Sequence, residues 1–173
     1  MRFAWVSAVA AAVLLASCGR GGDAAPSGEE ALKAAQFFLE SNARKDGVQT
    51  LPSGLQYEVV QSGPAGGVSP DRNDLVRVDY EGKLTDGTIF DSSFGRGAPA
   101  VFTPEEVVPG WTEALQRMKV GDEWILYVPP ALGYGEQGAP PRIPGNSVLI
   151  FRLRLLAVAP TPGGDRGPPV AMG

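Results

Sequence analysis

The chain has 173 residues, with 15 basic and 19 acidic side chains, a net charge of −4, one cysteine and no histidine. This mildly acidic balance leaves no electrostatic footprint for nucleic acid. Without histidine, a Ser-His or Cys-His nucleophile and a His-containing zinc site are excluded, and no metal or cofactor is expected.

Arg2 precedes an apolar run from Phe3 to Ala16. A basic start, an apolar segment and then small residues follow the order of a secretory signal peptide. The run is shorter than the roughly 20 apolar residues that a spanning helix needs. Its end, Leu15-Ala16-Ser17-Cys18, resembles the lipobox of bacterial lipoproteins, where the cysteine is lipidated and becomes the first mature residue. As the only cysteine, Cys18 has no disulfide partner within the chain. The expectation is a signal peptide over 1–17 and a glycine-rich flexible tether over 18–28, starting at lipidated Cys18. The chain is then exported to the periplasmic space and anchored by lipid. Gly19 is not the aspartate of an inner-membrane retention signal, which favours the outer membrane.

Segment 29–47 reads as a helix, with Leu32, Ala35, Phe38 or Leu39, and Ala43 spaced for one face. Ser27 is placed to cap it, Glu29 and Glu30 suit the positive end of its dipole, and Gly47 ends it. So short a helix needs packing to be stable, either on its own domain or on a second copy. Leu51–Gln61 alternates at Leu55, Tyr57 and Val59 and reads as a strand. Ser62–Asn73 is a turn-rich loop.

Val76–Ser93 (VRVDYEGKLTDGTIFDSS) organises the rest. Val76, Val78, Tyr80 and Leu84 share one face, and Arg77, Asp79, Glu81 and Lys83 the other, the period of a half-buried strand. Asp86-Gly87 supplies a two-residue hairpin turn before Ile89-Phe90. Asp91 follows two apolar residues. A carboxylate there is paired, capped by the Ser92 and Ser93 hydroxyls, or functional.

Phe94–Ala100 is too glycine-rich for regular structure, and Val101-Phe102-Thr103 suits a short strand. Pro109-Gly110-Trp111 opens a short helix, with Trp111, Ala114 or Leu115, and Met118 at spacings of three and four before Gly121. Asp122–Pro129 and Ser147–Val158 are strands, joined by a glycine- and proline-rich loop over Ala131–Gly145. Residues 160–173 read as a disordered tail. One α+β domain over 51–159 follows: antiparallel strands curled over one short internal helix, with an N-terminal helix before them.

Gly133-Tyr-Gly135-Glu-Gln-Gly138 matches G-x-G-x-x-G, but Pro140-Pro141 follow where a dinucleotide site needs a helix. The acid pairs Glu105-Glu106 and Asp122-Glu123 sit at element boundaries and read as solvated. Tyr134 and Ile143 are large residues in a loop of glycine and proline, which suggests the wall of an apolar pocket.

Four stretches together resemble the FKBP-type peptidyl-prolyl cis-trans isomerases. They are Val78 through Asp91, with D-Y-E-G-x-L-x-D-G-x-x-F-D-S-S; Val108-Pro109-Gly110-Trp111 leading to Met118-Lys119-Val120-Gly121; Pro129–Gly135, ending in Gly-Tyr-Gly; and Ile143-Pro144-x-Asn-Ser-x-Leu-Ile-Phe. The resemblance implies a half-barrel sheet wrapped over the Trp111 helix, with the proline ring of a polypeptide substrate seated on Trp111. It implies pocket walls at Tyr80, Phe90, Val107, Val108 and Phe151, and Ile143 at the rim. Asp91 and the Tyr134 hydroxyl are the implied catalytic polar groups, with Arg96 supporting Asp91. Ala100 stands where the family carries a larger residue, so the wall there is expected to be open. The implied partners are proline-containing chains, with a macrolide such as rapamycin as a ligand. Exported members carry a longer helical dimerisation region, of which 29–47 would be a short remnant. The activity implied is prolyl isomerisation assisting the folding of exported proteins, with neither proton transfer nor a covalent intermediate. The alternative is a tethered chaperone or binding module with incidental isomerisation, for which the Ala100 opening and Phe37-Phe38 speak.

Overall fold

Residues 27–162 are described by the computed structural model of the protein. The signal segment 1–17, Cys18, nearly all of the tether and residues 163–173 of the tail lie outside the described residues.

The N-terminal helix, α1, runs Gly28–Asn42. Ser27 and Glu30 form a reciprocal cap, each side chain bonded to the other's backbone N–H. Seven strands follow, β1 (Val48–Thr50), β2 (Gln56–Gln61), β3 (Leu75–Lys83), β4 (Ile89–Ser92), β5 (Ala100–Phe102), β6 (Glu123–Val128) and β7 (Leu149–Ala159). Between them stand α2 (Ser93–Arg96), α3 (Pro109–Leu115) and a 3-10 turn at Pro130–Leu132. The strands form one open, entirely antiparallel sheet in the order β1-β2-β6-β7-β3-β4, with β5 also on β3. This is the expected α+β arrangement.

β3 behaves as its alternation demands. Val76, Val78, Tyr80 and Gly82 are buried, while Arg77 is exposed. The same face of the sheet carries Leu126 and Val128 of β6 and Phe151, Leu153 and Leu155 of β7. Against it packs α3, whose Trp111, Ala114 and Leu115 are buried, with Met118 just beyond. Pro109 at the first turn of α3 forfeits only an N–H that has no helical partner anyway. Gly82 is dictated by packing, because a Cβ there would sit 2.6 Å from Phe90 and 2.7 Å from Phe151.

α1 lies on the opposite face. Tyr127 and Gln56, which alternate with core residues, meet it: Phe38 stands 6.3 Å from Tyr127 ring to ring, and Asn42 Nδ2 donates to Gln56 Oε1 at 2.9 Å. The helix thus packs on its own domain, and Phe37 points outward, 73% exposed.

Some boundaries differ from expectation. The sheet begins at β1, before Leu51, because Val48–Thr50 pairs with β2 as a short polar edge. The hairpin turn spans Thr85-Asp86-Gly87, not two residues: Leu84 N–H donates to Thr88 O, and Gly87 takes φ 88°. The register then slips between Gly82 and Lys83. Phe94–Ala100 is not wholly irregular, since Ser92 Oγ accepts from Gly95 N–H and starts the turn of α2. Thr161 is bound to Asp74 Oδ1 and Asn73 O, so the first residues after β7 are tied down.

Candidate functional site

The outer edge of β3 is shared. β5 pairs with its first half at Val76–Val78, and β4 with its last residues, Glu81–Lys83. At the seam the Tyr80 N–H has no strand partner. The fully buried Ser93 hydroxyl accepts from it at 2.9 Å and donates to Asp79 Oδ1 at 3.1 Å. That seam sends the chain out through α2 and back, and a cleft of about 630 Å³ opens beside it.

Trp111 forms the floor, with 4% exposure. Three rings meet it nearly edge-on: Tyr80 at 5.2 Å, Phe151 at 5.1 Å and Phe102 at 6.0 Å. Its indole nitrogen has no hydrogen-bond partner among the described residues, so apolar packing and ring contacts hold it. Phe90 stands edge-on to Phe151 at 5.5 Å. Val107 and Val108 contribute the wall that leads into α3. Ile143 arrives from the long loop, where Ala139 and Ile143 exchange both backbone hydrogen bonds, at 2.8 and 3.0 Å.

The polar side is equally ordered. Asp91 accepts from the Tyr80 hydroxyl through Oδ2, and from the Arg96 guanidinium and the Ser92 N–H through Oδ1. Arg96 also donates to the Tyr80 oxygen at 2.9 Å and lies over the Tyr80 ring at 5.4 Å. Asp91 is therefore paired; its Ser92 contact is through the backbone, not through a hydroxyl. Partial burial opposes its ionisation, but the hydrogen bonds from Tyr80 and Arg96 outweigh that and hold it below the usual carboxylate range. Burial, reinforced by the Asp91 hydrogen bond, pushes the Tyr80 phenol up. Tyr134 sits at the rim, 44% exposed, its hydroxyl without a partner among the described residues.

All nine residues expected at the pocket line this one cleft: Tyr80, Phe90, Asp91, Val107, Val108, Trp111, Tyr134, Ile143 and Phe151. Arg96 stands behind Asp91. Ala100 does not line it. Phe102, two residues on and on the same face of β5, lines it instead, its ring 6.1 Å from that of Tyr80. The period-two rule applied from Ala100 along Val101-Phe102-Thr103 points to Phe102. Glu106, Ala139 and Arg142 complete the lining and carry no sequence signal beyond proximity to Val107 and Ile143. No cluster able to hold a metal occurs among the described residues.

Residues 66–156 match the family model described as FKBP-type peptidyl-prolyl cis-trans isomerase, and residues 21–59 match the domain amino terminal to it. The Peptidyl-prolyl cis-trans isomerase Mip of Coxiella burnetii is 55% identical over 121 residues, covering 70% of this chain and 52% of its own. The Outer membrane protein MIP of Legionella longbeachae is 46% identical over 121 residues, 70% of this chain and 51% of its own. The chain thus spans about half the length of the curated relatives it matches. A solved peptidyl-prolyl cis-trans isomerase from Pseudomonas syringae superposes with a TM-score of 0.73 at 39% identity, over 80% of this chain and all (100%) of that one. By sequence and by fold, the chain belongs to the FKBP-type peptidyl-prolyl cis-trans isomerase family.

Proposed function

We propose that the protein catalyses cis-trans isomerisation of Xaa-Pro bonds in exported polypeptides. The observation that carries this is the cleft: an apolar floor at Trp111 with aromatic walls and one ordered polar side.

Spontaneous prolyl rotation takes tens to hundreds of seconds, because the barrier is about 20 kcal/mol. Twisting the amide breaks its conjugation and localises the nitrogen lone pair. The planar amide is the more polar form and is favoured by water. A proline ring seated on Trp111 brings its amide between apolar walls, where water no longer favours the planar state. Walls that fit the twisted chain add binding available only at the transition state. A thousandfold acceleration requires about 4 kcal/mol from these effects. No proton needs to move, which suits a site in which Asp91 is held as a carboxylate and Tyr80 as a phenol. In this reading Tyr134 donates its free hydroxyl to a substrate carbonyl, and Asp91 presents its remaining lone pairs to the substrate backbone. Arg96 fixes the orientation of Asp91 and Tyr80, and Ile143 closes the rim.

The remaining proposals concern setting. Residues 1–17 direct export, Cys18 carries the lipid, 18–28 tether the fold, and 51–159 form the isomerase domain. The family match of a relative named as an outer membrane protein supports an outer-membrane, periplasm-facing location. Prolyl isomerisation of a short Xaa-Pro peptide, measured on the soluble form beginning after Cys18, tests the activity. A catalysed rate that a macrolide such as rapamycin suppresses is expected. A rate equal to the uncatalysed one overturns the proposal.

A further inference from the structure

The cleft does not end at Phe90. A second concavity of about 640 Å³ adjoins it, and Phe90, Asp91 and Arg142 line both. Arg142 is exposed on this shared wall. Its Nη1 donates to Phe90 O at 3.2 Å, which anchors the guanidinium while leaving the rest of its N–H fork open. The other cation of the second concavity, Arg96, is ion-paired with Asp91. None of the ion pairs of the described residues involves Arg142. The net charge facing the second concavity is therefore positive and centred on Arg142. Glu106 lines only the first cleft, so the second concavity carries no carboxylate besides Asp91, which Arg96 already pairs.

We propose that Arg142 makes the enzyme prefer an acidic side chain close to the proline in its substrate polypeptide. This rests on the prolyl-isomerase reading above. An extended peptide advances about 3.3 Å per residue, so a residue one or two positions from a proline on Trp111 reaches the adjoining space. A guanidinium fork matches a carboxylate in geometry as well as in charge. At an exposed site the attraction is modest, about threefold to fivefold in affinity.

The test uses the full chain and short peptides with one Ala-Pro bond. Glu, Gln or Lys is placed in turn at each of the two positions before and the two positions after the proline, and affinity is read by calorimetry. At one or more positions Glu should bind about threefold to fivefold more tightly than Lys at low ionic strength, and the ratio should shrink in about 0.5 M salt. Arg142→Gln should bring the ratio close to one, and Arg142→Glu should invert it, which loss of the Phe90 contact alone cannot do. Equal affinities at all four positions, or a ratio that survives both substitutions, overturns the proposal. Wild-type protein that binds and isomerises the Gln peptides without a Glu–Lys difference overturns this inference alone. Failure to bind any of the peptides overturns the isomerase reading and this inference together.

Discussion

Asp91 illustrates how a carboxylate in an apolar cleft stays ionised. Burial alone would raise its pKa, yet two side-chain donors and one backbone N–H converge on it and reverse the sign. Its lowered folded value means that the stability it contributes is present above the unfolded carboxyl pKa, about 3.9, and is lost as pH falls through the folded value. Tyr80 is raised, so its contribution is present below the unfolded phenol value, about 10, and is lost as pH rises through the folded one. Between about pH 6 and 8 neither group changes charge, and the chain offers no histidine to do so. Isomerase activity should accordingly be flat across that window. Asp91→Ala should reduce kcat/KM about tenfold, the equivalent of about 1.4 kcal/mol, while the fold persists. Undiminished activity in the folded variant rules out a role for Asp91, and a clear titration between pH 6 and 8 rules out the locked pair.

At the scale of elements, β3 was legible because its buried residues recur with period two, and the site follows largely from its neighbours. Tyr80 announces itself as a ring on the buried face of β3, and Phe90 and Trp111 as rings near the starts of β4 and α3. What the sequence obscured has physical causes. β1 is three residues of mixed polarity at a sheet edge, with too little burial to imprint a pattern. The hairpin contains an Asp-Gly pair, but a bulge beside Gly82 changes the loop length, and bulges are set by tertiary packing. α2 is one turn held by a serine cap and a left-handed Gly97, a local device within a glycine-rich stretch. Arg142 belongs to the cleft only because the Ala139–Ile143 exchange of hydrogen bonds folds the loop back. Gly82 is where element and site meet, since the Phe90 and Phe151 rings close over its missing side chain. Gly82→Ala should destabilise the fold by about 1–3 kcal/mol through overpacking. Urea denaturation should show a lower midpoint at unchanged slope. A midpoint equal to that of wild type would mean that the two rings move aside freely and do not define the wall.

For the whole molecule, the two faces of the sheet have separable tasks. The inner face, with α3, holds the core and the cleft, and each fully buried Leu or Val there is worth about 1.5–3 kcal/mol. The outer face receives α1, which buries little besides Ala35 and Asn42. α1 is held instead by specific hydrogen bonds: Asn42 to Gln56, Gln56 Nε2 to Leu39 O at 2.9 Å, and Asn146 Nδ2 to Gly28 O at 2.8 Å. The last of these joins α1 to the end of the loop that carries Tyr134, since Asn146 N–H donates to Gly135 O. Removing residues 27–45 should therefore cost about 3 kcal/mol, three hydrogen bonds at about 1 kcal/mol each, seen as a lower urea midpoint. Activity under folded conditions should stay within about threefold of wild type, because no cleft residue lies on α1. A loss of tenfold or more in a folded truncation would make the Gly28–Asn146 contact part of the catalytic apparatus, transmitted through Gly135 to Tyr134. Asn146→Gly in the full chain then decides between the two: it severs that contact while tolerating the φ of 56° at this position and leaving α1 docked through Gln56, and it should leave activity intact if the faces are independent.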